Sequence, residues 1–107
     1  MDILIYAKPE KVEHKIENRI PKEINYCYWR VSVLPKIRDK VINKVYFSDG
    51  SIIFAEGDYI GNDCEAVTKK KEICFKPLKR VNKKQPKKPP TRGWCYINKE
   101  KYNGFNS

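Results

Sequence analysis

Short runs of β-prone apolar residues, separated by turn residues and prolines, dominate the chain, and one stretch carries a helical period. Ile3-Leu4-Ile5-Tyr6 is such a run and predicts a strand over residues 2–7. Pro9 stands where a first helical residue belongs, and Val12, Ile16 and Ile20 follow at i, i+4 and i+8 among charged residues. That spacing predicts one apolar stripe on a short amphipathic helix, limited by Pro21. Over residues 26–33 the pattern alternates: Cys27, Trp29, Val31 and Val33 share one face, while Tyr28, Arg30 and Ser32 share the other. The expectation is a half-buried strand stopped by Pro35, with a polar connection over residues 36–40.

The strongest local signal is Val45-Tyr46-Phe47-Ser48-Asp49-Gly50-Ser51-Ile52-Ile53-Phe54-Ala55, where Asp-Gly separates two β-prone runs. This predicts a hairpin with a type I′ turn, which needs positive φ at both central residues. Tyr59-Ile60 continues the sheet, and Gly57 and Gly61 are candidates for bends or bulges. Residues 72–81 hold a further strand, Ile73-Cys74-Phe75, interrupted by Pro77, which suits an edge or a bulge. Residues 82–93 form a basic, proline-rich loop, because Pro86, Pro89 and Pro90 exclude helix and ladder. Trp94-Cys95-Tyr96-Ile97 returns as an aromatic strand, and residues 98–107 read as a frayed tail. The expected fold is mainly β with one or two short helices (α+β), in a single domain over residues 1–107, a length that suits one modest core.

Charge changes this picture more than composition does. The net charge is +10, but residues 1–68 carry 10 basic and 11 acidic groups, whereas residues 69–101 carry 13 basic and 2 acidic. The whole excess lies in the last third. Clustered Lys and Arg release counterions from phosphates, so this asymmetry points to a polyanion; the plainer alternative is a solubilising face. No apolar run is long enough for a membrane span, and the N-terminus lacks the basic start, long apolar stretch and small-residue site of a signal peptide. A cytoplasmic protein with no membrane partner is the expectation. In that compartment Cys27, Cys64, Cys74 and Cys95 are not expected to form disulfides. Their spacing contains no C-x-x-C pair, so they read as small buried hydrophobes rather than a zinc site.

Two stretches resemble the ASCH domains of the PUA-like superfamily, small β-barrels associated with RNA. Ile3-Leu4-Ile5-Tyr6-Ala7-Lys8-Pro9-Glu10 is similar to the family's opening, where a strand ending in K-P leads into the first helix. Lys44-Val45-Tyr46-Phe47-Ser48-Asp49-Gly50, running on to Ala55-Glu56-Gly57-Asp58-Tyr59-Ile60-Gly61, is similar to its central hairpin. The resemblance implies a small PUA-like (ASCH-type) β-barrel and RNA, ahead of DNA, as partner. The family's G-x-K-x-x-E-x-R stretch is not reproduced: Asn18-Arg19-Ile20-Pro21-Lys22-Glu23-Ile24-Asn25-Tyr26 lacks the glycine and the spacing. Lys22 and Glu23 stand in for part of it, so an ASCH-type hydrolase acting on a modified nucleoside is the alternative.

No catalytic constellation is legible beyond that pair. His14 sits among Glu13, Lys15 and Glu17 with no nucleophile implied, and neither a phosphate cradle nor any cofactor motif occurs. Binding has more support, because single strands are held by cations along the backbone and by aromatic faces against bases. The candidate residues are Lys69, Lys70, Lys71, Lys76, Lys79, Arg80, Lys83, Lys84, Lys87, Lys88 and Arg92, with Trp94 beside them, and Tyr28 with Arg30 on the outward face of their strand. Trp94 is either a stacking platform or a residue that closes the core, while Trp29 reads as core. A third reading is a protein-interaction module using the proline-rich loop, residues 85–91, or the basic face.

Overall fold

The computed structural model describes residues 1–35, 42–63, 71–84 and 93–97, and these are mainly β, as the alternation predicts. Strand β1 (Asp2–Tyr6) leads into a single helical turn, α1 (Pro9–Val12), and two 3-10 turns (Glu13–Lys15 and Glu17–Arg19). Strands β2 (Cys27–Arg30), β3 (Lys44–Ser48), β4 (Ile52–Asn62), β5 (Glu72–Phe75), β6 (Lys79–Lys84) and β7 (Trp94–Ile97) follow. They form one sheet in the order β2-β5-β4-β3-β1-β7, with β6 also paired to β4. β1 and β3 run parallel, and every other pairing is antiparallel.

The long strand β4 organises the sheet. One edge pairs with β3 from Ile53 to Asp58. The other edge serves two partners in turn, β6 across Ile52 to Glu56 and β5 across Tyr59 to Asn62. The connection between β5 and β6 therefore runs along that edge and passes close to Gly57. A Cβ at Gly57 would lie 2.8 Å from both the Lys76 carbonyl oxygen and Leu78 Cδ2, so close approach of the backbone requires glycine there. Pro77 sits in this break, where no ladder bond is lost, and Gly61 falls at a register shift between β4 and β5.

Alternation along the strands makes two cores. Ile3, Ile5, Val45, Phe47, Ala55, Ile73, Phe75 and Leu78 join Val12 and Ile16 on one side, with Trp29, Trp94 and Tyr96 packed against them. Leu4, Tyr46, Ile53 and Ile97 form a smaller cluster on the other, with Val81 and Cys95. β1 and β3 are buried on both faces, which is why the apolar run from Ile3 is continuous rather than alternating.

Several expectations need correction. Val12, Ile16 and Ile20 do not share one helix, because the helix ends at Val12 and Ile16 leaves it to form a parallel bridge with Leu78. Apolar i, i+4 spacing is equally satisfied by a chain that docks Val12 and Ile16 separately on the core. The alternating strand ends at Arg30, and Val33 is 62% exposed. The Asp49-Gly50 hairpin forms, but only Gly50 of that pair has positive φ; Asp49 instead accepts at Oδ1 from Ser51 and Ile52 N–H groups at 2.8 and 3.0 Å. Asn82, Lys83 and Lys84, expected in the loop, extend β6. Cys74 is disulfide-bonded, against the expectation of free thiols, whereas Cys27 and Cys95 carry unoxidised thiols. Among the described residues the sheet does not close into a barrel.

Candidate nucleic-acid interface

The Ile16–Leu78 bridge sets the site. Leu78 N–H donates to the Lys15 carbonyl at 2.9 Å, and Glu17 N–H donates to the Leu78 carbonyl at 2.7 Å. These bonds hold the 3-10 segment over the β5–β6 connection and leave a groove of about 430 Å³ between that segment and the sheet. Lys44, from the start of β3, and Glu56 and Asp58, from β4, form its floor; Lys76 and Lys79 line the sheet side and Lys22 the 3-10 side.

Cations and acids meet here in a definite arrangement. Glu56 is 9% exposed and lies between Lys44 Nζ at 3.1 Å and Lys83 Nζ at 2.6 Å. Burial pushes the Glu56 carboxyl up, but the hydrogen bonds and charges of Lys83 and Lys44 outweigh it and hold the group below the usual carboxylate range. Lys44 also reaches Asp58 at 3.3 Å. Lys83 stands over the Tyr46 ring, 5.8 Å from its centroid. Burial, with Asp2, Glu56 and Asp58 close by, pushes the Tyr46 hydroxyl far above its ordinary value.

The proposed cations thus divide. Arg80 pairs with Glu13, and Arg30 Nε lies 3.7 Å from the fully buried Glu72 carboxylate. Lys83 is committed to Glu56, and Lys71 donates from Nζ to the Ser32 carbonyl at 3.1 Å. Lys76, Lys79 and Lys84 are exposed and pair with no acid among the described residues. Lys69, Lys70, Lys87, Lys88 and Arg92, together with the proline-rich loop, lie outside the described residues. Of the 23 Lys and Arg, 13 are described, and of the 13 Asp and Glu, 10 are, so the described residues carry +3 of the net +10.

Trp94 is half-buried and engaged: Nε1 donates to the Val33 carbonyl at 2.8 Å, and its ring stands edge-on to Tyr96 at 4.8 Å. It packs on the main core, as does Trp29, which meets Phe47 edge-on at 5.3 Å. Tyr28 and Arg30 do face outward, with Lys15 Nζ 5.0 Å and Arg30 Cζ 5.7 Å from the Tyr28 centroid. Burial lowers Lys15 below the usual amine value, with Arg30 adding to the effect. Lys22 and Glu23, adjacent in sequence, line different grooves.

Sequence reasoning missed Lys15 and Lys44, and singled out Lys22 only as the partner of Glu23 in the hydrolase alternative. They belong to the part of the chain whose charges balance, and nothing in a charge tally separates a lysine facing a groove from one facing open water. Among the described residues, no group of three or more His, Cys, Asp or Glu is placed to hold a metal ion, and no helix is long and apolar enough to cross a membrane. Comparison with known proteins returns no matching family model, no matching curated protein and no matching solved structure.

Proposed function

We propose that this chain is a nucleic-acid-binding module, with RNA as the favoured partner, that grips phosphates along the groove bounded by β6 and the 3-10 segment. The observation that carries this reading is the state of Lys76, Lys79 and Lys84: three exposed cations along one edge of the sheet that pair with no acid among the described residues. Two of them line a groove with Lys22 and Lys44. Unpaired amines are the ones that release condensed counterions on meeting phosphates, whereas Arg80 and Lys83 must first leave a carboxylate. The preference for RNA, and the finer assignment to an ASCH-type PUA-like barrel, rest on the K-P step at Lys8-Pro9 and the Asp49-Gly50 hairpin. The alternative of a Lys22–Glu23 hydrolase loses support because the two side chains line separate grooves.

The test is salt-dependent binding of an RNA oligonucleotide by the parent chain and by a Lys76→Ala/Lys79→Ala/Lys84→Ala variant. The parent is expected to bind at low ionic strength, and the variant to lose about 2 from the slope of log affinity against log salt, as three fewer phosphate contacts require. A parent that fails to bind, or a variant with an unchanged slope, removes the reading.

A further inference from the structure

A second groove, of about 460 Å³, lies beside the first and is built differently. Ile20 and Ile24 line both, so the two grooves adjoin. Where the first holds ion pairs, the second is lined by apolar and aromatic residues together with four polar side chains, His14, Lys15, Glu23 and Asn25. Ile24 and Tyr26 are 47% and 37% exposed, large apolar surfaces left open to water beside the half-buried Tyr28. Asn25 and Glu23 also line the groove, and neither makes a hydrogen bond or ion pair among the described residues. Lys15 lines the groove with its ammonium over the Tyr28 ring. Lys15, Tyr28 and His14 continue into a shallower depression that ends at Arg30.

We infer that this second groove seats one unpaired base of the bound strand, so that the site takes single-stranded rather than duplex nucleic acid. The inference rests on the nucleic-acid reading above and adds what the strand presents. A nucleobase needs an aromatic or apolar wall for its face and a few hydrogen-bonding groups for its edge, and the groove supplies both in a volume typical of small-ligand sites. The flanking phosphates then meet cations on either side: Lys76 and Lys79 in the first groove, Lys15 in the depression. Bases in a duplex have their faces stacked and their Watson–Crick edges paired, so a duplex cannot seat a base in this groove and gains only the phosphate contacts.

The experiment measures binding of three probes, a single-stranded RNA, its duplex, and a single strand of equal length carrying abasic sites, to the parent and to Asn25→Ala, Tyr26→Ala and Tyr26→Phe variants. Both residues are exposed and precede β2, and circular dichroism of each variant checks that the fold is retained before binding is read. Tyr26→Ala is expected to weaken single-strand binding about 5- to 150-fold, the range for one lost base stack, with the salt slope unchanged. Tyr26→Phe restores most of the loss. The abasic probe binds the parent as weakly as the normal strand binds Tyr26→Ala, and the variant loses nothing further on it. Equal affinity for duplex and single strand, or a Tyr26→Ala variant with parental affinity, overturns the inference while leaving salt-dependent binding in place. Absence of any binding by the parent overturns both readings.

Discussion

Trp94 and Val33 join the two ends of the sheet: the indole N–H of Trp94, on β7, donates at 2.8 Å to the carbonyl of Val33, three residues beyond the end of β2. β2 and β7 are the terminal strands of the ordered path, each with one paired neighbour among the described residues. The contact therefore curls the sheet without completing it. It also explains why this tryptophan is half-buried although it follows a basic, proline-rich segment. Trp94→Phe keeps the edge-on contact with Tyr96 but deletes the donor. It is expected to cost about 1 kcal/mol, the net worth of one hydrogen bond. Trp94→Ala removes the packing as well and is expected to cost about 3 kcal/mol. Urea unfolding followed by far-ultraviolet circular dichroism separates the two; equal effects would assign no role to the hydrogen bond.

Gly57 and Gly61 lie in the same strand and make opposite predictions. At Gly57 a methyl group meets backbone, the Lys76 carbonyl, as well as the Leu78 side chain, both at 2.8 Å. Backbone pinned on both sides by ladder bonds yields poorly, so Gly57→Ala is expected to cost about 1–3 kcal/mol and to open the groove that Gly57 lines. At Gly61 a Cβ has nothing within 4 Å, and Gly61→Ala is expected to change stability by less than about 0.5 kcal/mol. Thermal melts of the two variants check the pair, and equal melting temperatures would mean that the connection between β5 and β6 does not press closely on Gly57.

Acid stability is expected to depend on Glu56. Its carboxyl is depressed in the folded chain, so its contribution is complete above the ordinary glutamate value of 4.5 and is lost as pH falls through the lower folded value. Asp49, depressed by the Ile52 and Ser51 N–H groups, acts in the same direction, with its contribution complete above its ordinary value of 3.8 and lost as pH falls through a lower folded value. Glu56→Gln keeps the shape but leaves Lys44 and Lys83 without their shared anion. At neutral pH this is expected to cost about 1–2 kcal/mol, less than a fully buried pair because the Lys44 side chain is 38% exposed and the Lys83 side chain 25% exposed. The difference between variant and parent should shrink as pH falls below 4. A difference that persists to pH 2 would point to packing rather than charge.

The strands were legible where burial was one-sided or complete: Ile3 to Tyr6, the two arms of the hairpin and the aromatic Trp94 to Ile97 announce themselves by β-branched and aromatic content. β6 was only partly legible, because an edge strand reading Lys-Arg-Val-Asn-Lys-Lys buries little and shows no apolar alternation. The parallel pairing of β1 with β3 joins residues about 40 apart, and no local signal encodes it. The helical stripe misled for the opposite reason: apolar spacing records that Val12 and Ile16 are buried, not that one helix buries them. At the site, the basic third was plain, yet which of its cations are free depends on where Glu13 and Glu56 come to rest. That is set by tertiary structure, as is the meeting of Ile20, Ile24 and Tyr26 beside Lys15.

Glu13 offers the most direct way to ask whether the cationic edge is a binding surface. Its carboxylate holds Arg80 and also lies 3.5 Å from Arg19, and the hydrogen bond from Arg80 keeps its carboxyl below the usual range. The Glu13 side chain is 35% exposed, Arg80 and Arg19 more so, and exposed pairs contribute little to folding. Glu13→Gln should therefore leave the melting temperature nearly unchanged. It would also free a guanidinium beside Lys79 on β6, and guanidinium groups bind phosphate in a two-pronged geometry that an amine cannot match. RNA affinity at low salt is expected to rise, with the salt slope steeper by about 0.7 for one added phosphate contact. Adding Arg80→Ala to Glu13→Gln should return both quantities to the parental level. Were Glu13→Gln to weaken binding instead, the acid rather than the cation would be the group that meets the ligand, and the edge formed by β6 would have to be read as a surface for a basic or neutral partner.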